Sequence, residues 1–270
     1  MTTVANVAAP SWFRVFLAAV RSEWLKLRTV RSTIWALLVT LVITVGLGAL
    51  FSAARVSRWD RLDPRERLIF DPAGFSLNGL FLAQLAIGVL GVLVMSSEYA
   101  TGQIRATFGA TPQRRTVLAA KVVVYAVVVL VVGLVACFAA FTVGQAIFST
   151  KHAQAALSDP GVLRAVLGGA VYLSLLGAIA IGLGAILRRT AGAIATLVGF
   201  LLILPILVSF LPDPWNDDIS KYLPSEAGAA IFHVRPRMAT VSPGAGLALL
   251  CAYAAASLLI GATLLSARDA

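Results

Sequence analysis

Six long runs of apolar residues, none containing an Asp, Glu, Lys, Arg or His, limit what this chain can fold into more than any other feature. They cover approximately Thr33–Ala54, Ala73–Met95, Val122–Phe148, Ala165–Leu187, Ala191–Leu211 and Ala245–Leu265. Each holds about 20 residues or slightly more, enough at 1.5 Å per residue to cross a hydrocarbon core about 30 Å thick. Inside lipid every backbone N–H and C=O needs a partner within the protein, so only helices and closed barrels span. Runs this continuously apolar lack the alternation of a barrel strand. Helices remain. Polar residues within the runs are few and uncharged, such as Thr40, Thr44, Asn78, Gln84, Thr142, Gln145, Ser174 and Thr196. Composition agrees, with 59% hydrophobic and 13% charged residues, where a soluble domain carries about 25% charged. The expectation is an all-α integral membrane protein. Residues 1–32 form an N-terminal amphipathic segment, and residues 33–270 form a six-span transmembrane domain. The first run is too long for the core of a signal peptide and is read as a retained span.

Six spans put both termini on one side. With that side cytoplasmic, the 22 Lys and Arg divide almost evenly, with a slight inner excess. Only Glu23, Glu98 and Asp269 of the 12 acidic residues fall inside. The positive-inside rule counts Lys and Arg and so favours cytoplasmic termini in a cell membrane. The net charge of +10 is explained by such loops; no basic run is interleaved with aromatics on a soluble module, so no nucleic-acid partner is expected. Cys137 and Cys251 sit apart in apolar runs without CxxC spacing and read as packing residues.

The segment before the first span carries its own pattern. Arg14, Arg21 and Arg28 recur every seven residues and stack into a basic stripe that Arg31 extends to the membrane. Phe13, Phe16, Val20, Trp24 and Leu27 follow at three- and four-residue steps on another face. Such a helix suits the interface of an anionic leaflet. A helix packed on the ends of the bundle fits the same pattern.

Between the second and third runs lies a polar, patterned stretch, Ser96 to Arg115. Ile104 and Phe108, four apart, give a short helix one small apolar face. Gly109 fits just past its end, and Thr111 and Pro112 fit the N-cap and first position of the next helix. A short helix across the ends of two spans suits docking of a soluble partner; an interfacial re-entry with snorkelling arginines fits as well.

At these residues the chain resembles the permease subunits of ATP-binding-cassette exporters of the type-2 family. Arg21-Ser22-Glu23-Trp24-Leu25-Lys26-Leu27-Arg28-Thr29-Val30-Arg31-Ser32 is similar to that family's amphipathic elbow. Ser97-Glu98-Tyr99-Ala100-Thr101-Gly102-Gln103-Ile104-Arg105 is similar to its coupling segment, and the continuation from Ala110 to Lys121 fits too. The resemblance implies a short cytoplasmic coupling helix that contacts a separate ATP-binding-cassette ATPase subunit. Glu98, Tyr99, Gly102, Ile104 and Arg105 carry that role, with Phe108 as apolar anchor. ATP and Mg would reside on the partner, and this chain would hold no cofactor. A second permease chain, identical or a sister, is also implied. The chain has no G-x-x-x-x-G-K-[ST] sequence.

Other chemistry is sparse. A secondary carrier needs an ionisable group or a broken helix near the midplane. The runs offer no ionisable group, though Pro205 interrupts the fifth. Charge-free runs suit an apolar or amphipathic cargo. Gly74-Phe75-Ser76-Leu77 faintly resembles an intramembrane nucleophile, but His152 and His233 both fall in loops, and no H-E-x-x-H or other metal-ligand cluster occurs. No catalysis by the chain itself and no metal are expected. A non-transporting assembly protein that docks a soluble partner, or a secondary carrier or channel, are the alternative functions. The fourth run is rich in small residues, Gly168 to Ala185, which permits close helix approach. Arg188-Arg189-Thr190 predicts a tight hairpin between runs four and five. Arg55–Asp71 reads as a solvated helical cap. Pro212–Gly244, with five prolines, reads either as short helices dipping back, as the resemblance implies, or as an irregular loop.

Overall fold

The structure, a computed structural model, describes residues 11–235 and 241–267. Pro236, counted among the outer-loop prolines, and Arg237, Arg268 and Asp269, counted in the charge balance, lie outside the described residues. Among those described, every regular element is helical.

Helix α1 (Trp12–Thr29) is separated from the first span, α2 (Arg31–Ser57), by Val30 alone, whose extended backbone breaks the helix. Beyond α2 come a single 3₁₀ turn, a short exposed helix α3 (Pro64–Leu68) and the five-residue α4 (Pro72–Ser76). The second span is α5 (Leu80–Ala100), followed by the short α6 (Gln103–Ala110). The third is α7 (Arg114–Phe148), and the fourth is α8 (Val162–Leu187). The fifth begins as α9 (Thr190–Val198), passes through a π-helical turn at Gly199–Ile203 and ends as α10 (Leu204–Ser209). Two short helices, α11 (Trp215–Ser220) and α12 (Pro224–Phe232), precede the sixth span, α13 (Pro243–Ala267). Six of these helical segments are long and apolar enough to cross a membrane.

The bundle is built around α8, the most enclosed of the spans, which packs against α5, α7 and α13. Its small residues make that possible. A Cβ at Gly182 would lie 2.6 Å from the Ser257 hydroxyl of α13, and one at Gly169 would lie 2.7 Å from Leu80 of α5. The abundance of small residues is therefore spent on close packing of helix on helix. Helix α2 shows the pattern expected of lipid as solvent. Its buried residues are Thr33, Thr40, Thr44, Gly48 and Ser52, while Leu38, Val42 and Leu50 face outward. The buried hydroxyls cost little, because Thr40, Thr44 and Ser52 each donate to the carbonyl four residues earlier at 2.7–2.8 Å.

Several boundaries differ from expectation. The second run is not one helix from Ala73 to Met95. The chain turns at Leu77–Gly79, and the Asp71 carboxylate caps α4 by accepting from the Gly74 N–H at 2.9 Å. A Cβ at Gly79 would collide with the backbone of Thr44, so the turn is pressed against α2. The third helix begins at Arg114 rather than Val122 and, with 35 residues, is about 50 Å long, well beyond the hydrocarbon thickness. Gly109 lies within α6, and Thr111 ends that helix instead of capping the next, which Gln113 precedes. Pro205 does not break the fifth span: the wider π turn just before it accommodates the missing N–H.

At the end of the bundle remote from α6, α12 is buried along nearly its whole length and packs on α8 and α13. Gly228 receives the Tyr172 ring, where a Cβ has no room. Asp71 pins the chain that leaves α12, accepting from the Val234 N–H at 2.9 Å while its carboxylate also faces His233 Nδ1 at 3.4 Å.

Candidate functional site

Where α1, α5 and α7 meet, four charged side chains close into a buried ring. Glu23 lies on the inward face of α1 with Ala19 and Leu27, and Lys26 follows one turn later. Glu98 is in the last turn of α5, and Lys121 is two turns into α7. Lys121 Nζ donates to Glu23 Oε2 at 2.7 Å and to Glu98 Oε1 at 2.6 Å. Lys26 Nζ donates to Glu23 Oε1 and to Glu98 Oε1, both at 2.7 Å. Each carboxylate bridges both ammonium groups, and the ring is neutral overall.

Burial decides what this ring is worth. Lys121 is 1% exposed, and Glu23 and Glu98 are 4% exposed. Withdrawing each ion from water costs several kcal/mol, offset only by close, multiply bonded counter-charges. Lys26 is half-buried. Desolvation works against its charge, but hydrogen bonds and Coulomb attraction from Glu23 and Glu98 prevail and hold its pKa above the ordinary lysine value. The ring thus joins three elements that are far apart in sequence. It specifies their relative positions more than it adds net stability.

Helix α6 is attached to the same place. Gly102 adopts a left-handed backbone, φ 73°, which lets the chain turn from α5 into α6. Ile104 and Phe108 then point into the core cluster that contains Leu27, Val117 and Leu118. Thr107 Oγ1 reaches Glu98 Oε2 at 3.5 Å. The opposite face of α6, with Gln103, Arg105 and Ala106, is exposed. Two open clefts flank the ring: one of about 350 Å³ between α1 and the end of α5, one of about 480 Å³ between α1 and α6. The C-terminal end of α13 is fastened nearby. Arg114 donates to the Leu265 carbonyl at 2.8 Å and Arg188 to the Leu264 carbonyl at 3.2 Å, where helix carbonyls lack internal partners.

The six residues singled out for coupling therefore divide. Gly102 and Arg105 are exposed; Glu98, Ile104 and Phe108 are turned inward; and Tyr99 is half-buried beneath the Arg188 guanidinium, 5.0 Å from its ring. Arg14, Arg21, Arg28 and Arg31 are all exposed. The apolar face expected of α1 splits: Leu27 is buried and Val20 half-buried against the core, Phe16 is half-buried in a stack with Trp12, and Phe13 and Trp24 remain outward. Sequence reasoning missed the ring itself. Lys121 sits one residue before an apolar run and looks like a flanking headgroup anchor, yet α7 starts seven residues earlier and carries it inside. Glu23 and Lys26, three apart on an amphipathic helix, were the available signal, since a Glu on the inward face needs a counter-charge.

The fold and the ring define a multi-pass helical membrane protein whose N-terminal helix is locked to the segment between its second and third spans. A family model described as ABC-2 family transporter protein matches residues 19–205, and the chain belongs to that family. It is an ABC transporter permease, a non-catalytic membrane subunit, and the family implies partnership with an ATP-binding subunit. The match runs from the inward face of α1 through both ends of the ring to Pro205. A search of curated proteins finds no match to this chain.

Proposed function

We propose that this chain is the pathway-forming subunit of an ATP-driven exporter of apolar or amphipathic molecules. In this reading ATP, with Mg, is bound and hydrolysed by a separate cytoplasmic ATPase subunit. The termini and α6 face the cytoplasm of a cell membrane, α1 lies in the inner-leaflet interface with Arg14, Arg21, Arg28 and Arg31 toward the headgroups, and a second permease chain completes the pathway. The observation that carries it is the attachment of α6 to the Glu23–Lys26–Glu98–Lys121 ring. A partner pressing on the exposed face, at Gly102, Gln103 and Arg105, displaces a helix whose buried face is tied to two spans and to α1. Glu98, Ile104 and Phe108 transmit that movement, and Tyr99 links it through Arg188 to the end of α13.

The test is the ATPase rate of the reconstituted complex, with transport measured in parallel. Phe108→Asp removes the anchor of α6 and is expected to leave the complex assembled while transport per ATP falls at least tenfold. Arg105→Glu, on the exposed face, is expected to weaken association itself. Normal transport by Phe108→Asp would overturn the coupling role of α6.

A further inference from the structure

At the end of the bundle opposite α6, a cavity of about 410 Å³ opens between α2, α5, α8 and α12. Its walls are mostly aromatic and aliphatic: Phe51, Phe81, Leu82, Tyr172, Ala229 and Phe232. Phe51, Phe81 and Leu82 are 41–52% exposed and form the rim, on faces of α2 and α5 that no other described element covers. Three polar side chains there, Asn78, Ser225 and Glu226, have no hydrogen bond among the described residues. The Ser225 hydroxyl is buried without a hydrogen bond, and the half-exposed Glu226 carboxylate has no hydrogen bond or ion pair among the described residues. The other polar walls are held by neighbours. The Tyr172 hydroxyl donates to Gln84 Oε1, Gln84 Nε2 donates to the Phe81 carbonyl at 2.8 Å, and His233 Nδ1 is turned to Asp71.

Glu226 stands in the first turn of α12, where a carboxylate complements the helix dipole. That accounts for an acid at this position, but not for a cavity of ligand size beside it or for a buried hydroxyl left without a hydrogen bond. We infer that this cavity is a binding site for an amphiphilic organic cation, with Glu226 facing the cationic centre and the aromatic walls enclosing the apolar body. Aromatic faces attract desolvated cations as well as hydrocarbon, and the cavity volume lies within the range of drug-sized sites. The rim makes the site reachable sideways from the half of the bilayer near α12. The inference deepens the export reading by naming a cargo class, and rests on it only for the word cargo.

The full-length chain in lipid nanodiscs, without ATPase or nucleotide, is titrated with tetraphenylphosphonium and separately with its near-isosteric anion tetraphenylborate. Binding is scored as the saturable component above that of empty nanodiscs. Saturable phosphonium binding is expected for the natural sequence, about tenfold weaker for Glu226→Gln, retained by Glu226→Asp, and abolished by Ala229→Trp, which fills the cavity. Ala229→Leu gives the same direction should the larger side chain impair folding. No saturable binding of the borate is expected. Absence of saturable phosphonium binding, equal binding of both ions, or binding unaffected by Glu226→Gln or by both cavity-filling variants would overturn the inference. A chain that binds the phosphonium yet fails to couple to an ATPase would refute the export reading alone.

Discussion

Lys121 is the residue on which the cytoplasm-proposed end of the molecule turns. Its ammonium is bonded to both carboxylates of the ring and to the Val94 carbonyl at 3.5 Å, with essentially no access to solvent. Lys121→Met leaves Glu23 and Glu98 sharing Lys26 alone, and removing one partner of a buried pair costs about 3–5 kcal/mol. Denaturant unfolding in detergent should show that loss. Adding Glu98→Gln restores neutrality, so the double variant is expected to be more stable than the sum of the two single losses requires. Asp71, in the opposite loop, gives a pH-dependent counterpart. Burial works against its charge, but hydrogen bonds from His233 and from the Gly74 and Val234 N–H groups, with attraction to His233, hold its pKa below the ordinary carboxylate value. A depressed folded pKa means the stabilisation is present above the unfolded value and is lost as pH falls through the folded one. The stability gap between the natural protein and Asp71→Asn is therefore expected to close on acidification, read from melting temperatures across a pH series. A gap that widened toward acid would contradict this assignment.

Among the helices, the spans were legible because apolar length is a signal no other fold imitates. All six runs lie within the spanning helices, apart from the broken start of the second and the final residues of the fifth. Boundaries were not legible where polar sequence continues a helix. Arg114 to Lys121 looks like loop by hydropathy, yet in the first two turns of α7 Val117 and Leu118 are buried in the same core cluster as Leu27, Ile104 and Phe108. Those tertiary contacts outweigh local polarity. The break at Leu77–Gly79 was written in Asn78-Gly79, a turn dipeptide overlooked because apolar residues surround it. The face of α1 was half legible. Periodicity identified an amphipathic helix, but no periodicity reports that its inward stripe contains an acid and that Phe13 and Trp24 point away.

For the whole molecule, family and fold agree with what hydropathy and two short motifs indicate, while the charged ring required coordinates because its contacts between helices join residues 23 to 98 apart. The two ends of the bundle differ in kind. One is bound together by charge and by arginines on helix carbonyls; the other is closed by α12 and bordered by a cavity. The proposed orientation places the first end in the cytoplasm. In a Cys251→Ser background, with Cys137 buried, a membrane-impermeant thiol reagent applied to intact cells is expected to label Ser149→Cys and not Arg105→Cys. Labelling of the second alone would invert the orientation and remove the basis for an ATPase at α6.

The span of sequence enclosed by the ring also constrains biosynthesis. Glu23 emerges from the ribosome 98 residues ahead of Lys121, so the N-terminal helix meets its final counter-charge only after two spans are threaded and the third has begun. Until then its acid and base have only each other and, once α5 has emerged, Glu98 on Lys26, a provisional pairing. The latch thus closes on a nascent chain that has already committed its first hairpin to the bilayer, and a chain that inserted that hairpin wrongly would never present Lys121 on the side where Glu23 waits.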